Sequence, residues 1–162
     1  MSSFDPFKYQ NFFYKYKLKI NTEEINQILY LVKTIKSNAG DLKTTYNYLN
    51  ILNFPLLNKL KKQITDLLDK HELLLTNNWA QLYNKKNGHG VHNHVESSYS
   101  GIFYIQGSSP TLFYDREYGC YIKKFVKNEL LLFPSWIPHE VKPLEFNEER
   151  LIISFNTTKC KK

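Results

Sequence analysis

A chain of 162 residues, 42% hydrophobic and 23% charged, is long enough to bury a core and too apolar to stay disordered. No apolar run approaches the roughly 20 residues that span a bilayer, Met1–Pro6 lacks the layout of a signal peptide, and the two cysteines, Cys120 and Cys160, form no CxxC that would hold zinc through thiolates. A formal charge of +7 suits an anionic partner, yet the lysines (Lys15, Lys33, Lys59, Lys70, Lys85, Lys123) are scattered, so nucleic-acid binding stays a minor reading and a cytoplasmic protein with reduced thiols is expected.

In chain order, Tyr9–Leu18 alternates between aromatic and polar residues and suggests an opening strand. Asn21-Thr22-Glu23-Glu24 then predicts a helix start, with Asn21 as cap and Glu24 reaching back. Ile25, Ile28, Leu29, Val32 and Ile35 follow at helical spacing up to a stop at Asn38-Ala39-Gly40. Pro55 opens a second helix, whose apolar face carries Leu57, Leu60, Ile64, Leu67 and Leu68. His71 falls at its end, where a cation suits the helix dipole.

From Asn78 the period changes to two. Short runs at Trp79–Tyr83, Gly90–Val95, Tyr99–Gln106, Thr111–Tyr114, Tyr121–Val126, Leu130–Phe133, His139–Pro143 and Arg150–Asn156 alternate with turn residues. So many short strands in one stretch predict a sandwich or barrel, with the helices of residues 1–77 packed outside a β core at 78–156 in a single domain.

The chemistry concentrates in that core. On one strand His92, His94 and Glu96 share a face, because residues two apart point the same way. Burying three such polar groups is costly unless a ligand satisfies them. With His139, which follows Phe133-Pro134-Ser135-Trp136-Ile137-Pro138, they offer two histidines and a carboxylate on one side of a metal. That is the facial triad of non-haem Fe(II) oxygenases. Arg150 opens the last strand, where its guanidinium either grips a carboxylate through paired hydrogen bonds or pairs at the surface with Glu148 or Glu149. His89, in a Gly-flanked turn, is read as having no role.

Taken in order, Trp79, His92-Asn93-His94, Ser100-Gly101-Ile102-Phe103-Tyr104, Phe133 to His139, Arg150 and Ser154-Phe155-Asn156 resemble the 2-oxoglutarate/Fe(II)-dependent oxygenase superfamily. Within it they are most similar to a set of small oxygenases of marine phages and bacteria, which extends the expected location to the cytoplasm of an infected cell. The resemblance implies a double-stranded β-helix, a cupin-like jelly roll with helices packed on one sheet. It implies Fe(II) and 2-oxoglutarate as cofactors, His94 and His139 as metal ligands, and Arg150 as the partner of the distal carboxylate of 2-oxoglutarate. Tyr104 matches a cosubstrate-binding tyrosine; Tyr83 and Asn156 are further candidates for the same pocket. For the third ligand the general His-x-Asp/Glu pattern selects Glu96, so the expected set is His94, Glu96 and His139; the HxH of the small oxygenases makes His92 the competing ligand, or else a residue just behind the metal.

The implied reaction is a hydroxylation releasing succinate and CO2, with the loops Lys85–Gly90 and Asp115–Gly119 shaping the entrance; Phe103, Phe133 and Trp136 either are ordinary core or help to exclude water. Substrate class (small molecule, protein side chain or nucleic acid) and oligomeric state are not legible. The alternatives are a cupin-like metal protein using three histidines without 2-oxoglutarate, and a non-catalytic jelly-roll binding module.

Overall fold

The structure, a computed structural model, describes residues 10–35, 42–115, 119–144 and 147–160. The first strand, β1 (Tyr14–Lys17), leads to α1 (Thr22–Thr34), whose capping box forms as the sequence predicts. The Asn21 side chain accepts from the Glu24 amide at 2.9 Å and the Glu24 carboxylate accepts from the Asn21 amide at 2.8 Å. The expected stop at Asn38–Gly40 lies outside the described residues. After β2 (Lys43–Thr44), Pro55 opens a 3-10 turn that runs into α2 (Asn58–Asp69). Leu60, Ile64 and Leu68 are fully buried on one face of α2, each contributing about 1.5–3 kcal/mol of transfer free energy. Glu72 then takes a positive φ of 55° and turns the chain out of the helix.

The remaining strands are β3 (Leu73–Tyr83), β4 (His89–His92), β5 (Tyr99–Gln106), β6 (Thr111–Asp115), β7 (Gly119–Lys123), β8 (Glu129–Pro134), β9 (His139–Val141) and β10 (Arg150–Lys159). They form two antiparallel sheets, one ordered β1-β8-β5-β10-β3-β2 and the other β4-β9-β6-β7. This is the double-stranded β-helix, with helices on the larger sheet. The central strand β5 is buried from Ser100 to Ile105 because both its faces are covered. Phe103 and Ile105 join Ile28, Leu60, Ile64 and Phe155 on the helical side, while Ile102 and Tyr104 join Phe113, Leu131 and Phe133 between the sheets.

Several strand boundaries differ from the sequence expectation, those of β3 and β4 among them. Strand β3 begins at Leu73 rather than Trp79, because Leu73, Leu74 and Leu75 pair with Lys159, Thr158 and Thr157 of β10. A run of three leucines has no alternation to signal this. Strand β4 ends at His92, and Val95 and Glu96 lie in a turn, so His92, His94 and Glu96 do not share one strand face. The turn is set by the ladder's end and by the His94 amide, which donates to the Ser135 carbonyl at 2.8 Å. Cys120 and Cys160 are free thiols. No helix among the described residues is long and apolar enough to cross a membrane.

Candidate metal centre

The smaller sheet brings the histidines together. In the β4–β9 ladder His92 stands opposite His139, and the turn after β4 returns His94 to the same place. The rings of His92 and His139 lie 4.3 Å apart, those of His92 and His94 5.1 Å, and those of His94 and His139 5.5 Å. One nitrogen from each falls within 4.8 Å of the others, the spacing of ligands around one ion. Glu96 is exposed in its turn and does not belong to this group. The carboxylate that the general pattern selects therefore stands outside the cluster, and His92 stands inside it.

The surroundings keep these imidazoles neutral. His139 is only 6% exposed, against Phe113 and Phe133. Its Nδ1–H donates to the Ile137 carbonyl at 3.1 Å, and that of His92 donates to the Gly90 carbonyl at 2.8 Å, leaving the Nε2 lone pair of each free. Burial, reinforced by the neighbouring histidines, pushes His139 down to about 3 and His94 to about 4, and burial lowers His92 as well. All three are neutral at pH 7, the form that binds a cation.

A cavity between the sheets runs from these histidines past Gln81, Ile152 and Ser154 to Tyr83 and Thr111. Arg150 is fully buried and stands behind two of these lining residues, Thr111 and Tyr83. Its Nη2 donates to Thr111 Oγ1 at 2.8 Å, its Nε donates to the Ser109 carbonyl at 3.2 Å, and its Nη1 is buried without a hydrogen-bond partner. The guanidinium sits 5.0 Å from the Tyr83 ring and 5.7 Å from that of Tyr104. Burial raises both phenols, Tyr104 to about 12, while Arg150 pulls each back. The surface pairing of Arg150 with Glu148 or Glu149 does not form: Glu148 accepts from the Ser108 and Ser109 hydroxyls, and Glu149 pairs with Lys33 at 3.1 Å. Gly107 has φ +120°, and a Cβ there would stand 3.0 Å from the Arg150 backbone, so this close approach suits glycine alone.

The other sequence candidates separate. Tyr83 lines the cavity, and Tyr104 reaches its edge through a 2.9 Å hydrogen bond to Thr111. Asn156 does not itself line the cavity; its Oδ1 accepts at 2.9 Å from Ser100 Oγ, which does, beside a Ser135–Ser100 contact. Phe133 walls the cavity, Phe103 packs on the helical side, and Trp136 is 47% exposed. The loop at 116–118 lies outside the described residues. Gln81, Thr111 and Ser154 were not foreseen; Thr111 carried no signal beyond its place at a strand start, and the other two sit at inward positions of strands that did.

No protein-family model matches the chain, and no curated protein matches it. The fold, by contrast, is shared with solved 2OG-Fe(II) oxygenases. A 2OG-Fe(II) oxygenase family oxidoreductase from Burkholderia pseudomallei superposes with a TM-score of 0.66 at 11% identity, over 92% of this chain and 86% of its own. The viral collagen prolyl hydroxylase of Paramecium Bursaria Chlorella virus-1, solved as its 2OG complex, gives 0.65 at 13% identity, over 93% and 97%. HygX from Streptomyces hygroscopicus, with nickel and 2-oxoglutarate bound, gives 0.66 at 12% identity, over 91% and 83%.

Proposed function

We propose that the protein is an Fe(II)- and 2-oxoglutarate-dependent dioxygenase of hydroxylase type, acting on an unidentified substrate. The observation that carries this reading is the pairing of two features around one cavity. Three neutral imidazoles line it, and behind its lining residues Tyr83 and Thr111 a buried guanidinium keeps an Nη1 without a hydrogen-bond partner. An orphaned charged donor in a buried place calls for an anionic acceptor, and a carboxylate meets it. The residues present therefore fit both groups.

In this reading His92, His94 and His139 hold the metal, with Glu96 outside the ligand set. When bound, iron with 2-oxoglutarate would supply the oxidising chemistry, O2 being the oxidant that oxidises both the substrate and 2-oxoglutarate, with succinate and CO2 as coproducts. Arg150 anchors the distal carboxylate, Thr111 and Tyr104 fix the guanidinium's place, and Tyr83 covers it. Phe113 and Phe133 keep water from the His139 side. Support for hydroxylation comes from the shared fold, which includes a Trichoplax adhaerens prolyl hydroxylase in complex with a peptide fragment.

The all-histidine cluster also favours a second reading, a cupin-like metal protein that does without 2-oxoglutarate. One experiment separates them. Protein purified without oxygen and mixed with Fe(II) should develop a weak visible charge-transfer band on adding 2-oxoglutarate, and its melting temperature should rise with cosubstrate concentration. Metal binding with neither response would leave only the second reading.

A further inference from the structure

A fourth histidine shares the cavity. His89 and His92 are three residues apart, so on a regular strand they would face opposite sides. The β4–β9 register shifts between them, and this irregularity turns both toward the cavity, their rings stacked 3.9 Å apart at 21°. Bulges of this kind re-aim side chains next to active sites. His89 falls outside the group whose nitrogens lie within ligand spacing of one another.

The hydrogen bonds behind His89 decide where its proton sits. The Ser154 hydroxyl donates to Gln81 Oε1 at 3.4 Å, which leaves the Gln81 amide NH2 to donate to His89 Nδ1, also at 3.4 Å. Gln81 and Ser154 are both buried. With Nδ1 accepting, neutral His89 carries its hydrogen on Nε2. His92 and His139 have the opposite tautomer, because their Nδ1–H groups face backbone carbonyls.

We propose that His89 is the hydrogen-bond donor of this cavity. It offers Nε2–H to an oxygen of the ligand that the three-histidine centre holds, 2-oxoglutarate in the reading above, and does not itself bind the metal. Gln81 and Ser154 set its tautomer, and the bulge between His89 and His92 places it. The assignment rests on the dioxygenase reading and adds a cosubstrate-binding residue to it.

The test uses the full chain loaded with Ni(II), which permits binding without turnover, and titrates 2-oxoglutarate by calorimetry. His89→Phe keeps a ring against His92 and removes the N–H; His89→Gln restores an N–H without the ring. The expected result is unchanged Ni(II) affinity in His89→Phe, a loss of about tenfold in 2-oxoglutarate affinity, and recovery of most of it in His89→Gln. Loss of Ni(II) binding in His89→Phe would make His89 a ligand and overturn the proposal. So would 2-oxoglutarate affinity equal to wild type in His89→Phe, which would reduce the ring to packing. A failure of the dioxygenase reading shows earlier and separately, as wild-type protein that binds no Ni(II) or, once loaded, takes up no 2-oxoglutarate; His89's role falls with it.

Discussion

His92 and His139 stand directly opposite one another in the β4–β9 ladder, and their rings approach to 4.3 Å. That single cross-strand pair joins two stations separated by much of the β core in sequence, and His94 completes the group from the turn beyond.

Metal binding should follow this geometry. Alanine at His92, His94 or His139 is expected to abolish tight Fe(II) or Co(II) binding, whereas Glu96→Gln retains it. Calorimetric titration with Co(II) reads the outcome. A Glu96→Gln protein that loses the metal would return the carboxylate to the ligand set.

Arg150 is expected to separate cosubstrate from metal. In Arg150→Ala the metal affinity persists, while 2-oxoglutarate binding weakens by about 2–5 kcal/mol, the range for removing one partner of a buried charge pair. Lysine at this position restores little, because it lacks the fork that reaches Thr111 and the Ser109 carbonyl while leaving a further N–H free.

Acid should destabilise the metal-free protein through the same histidines. Folding lowers His139 to about 3 and His94 to about 4, from an ordinary value of 6.5, with burial as the main cause. The unfolded chain therefore binds more protons between those values, and stability rises with pH across that window. The melting temperature should fall as the pH is taken from 7 toward 4, and less steeply in His139→Asn. Equal slopes for the two proteins would contradict the assignment.

Gly101 packs directly against the Phe155 ring. A Cβ there would fall 2.0 Å from the Phe155 ring, so Gly101→Ala must displace that ring. The expected cost is about 1–3 kcal/mol in chemical denaturation. Combining it with Phe155→Leu should cost less than the two single changes added together, since the ring is the obstacle.

Much of this molecule was legible locally. The capping box of Asn21 and Glu24, the apolar face of Leu60, Ile64 and Leu68, and the strand Tyr99–Gln106 all formed as their patterns predicted. His94, His139 and Arg150 were also singled out by residue type and spacing, because chemistry this costly to bury leaves a mark in one dimension.

What the sequence determined by itself was the class of elements and a set of histidines with the chemistry to hold a metal, since capping, periodicity and side-chain chemistry are properties of near neighbours. Only the tertiary structure placed His92 beside His94 and His139 and Glu96 apart from them, turned Arg150 inward from Glu148 and Glu149, and brought His89 into the cavity. Those outcomes depend on where β4 ends, how it bulges against β9 and which loop closes over Gly107. Such registers are fixed by pairing between distant strands, where a shift of one residue reverses the face that each side chain presents.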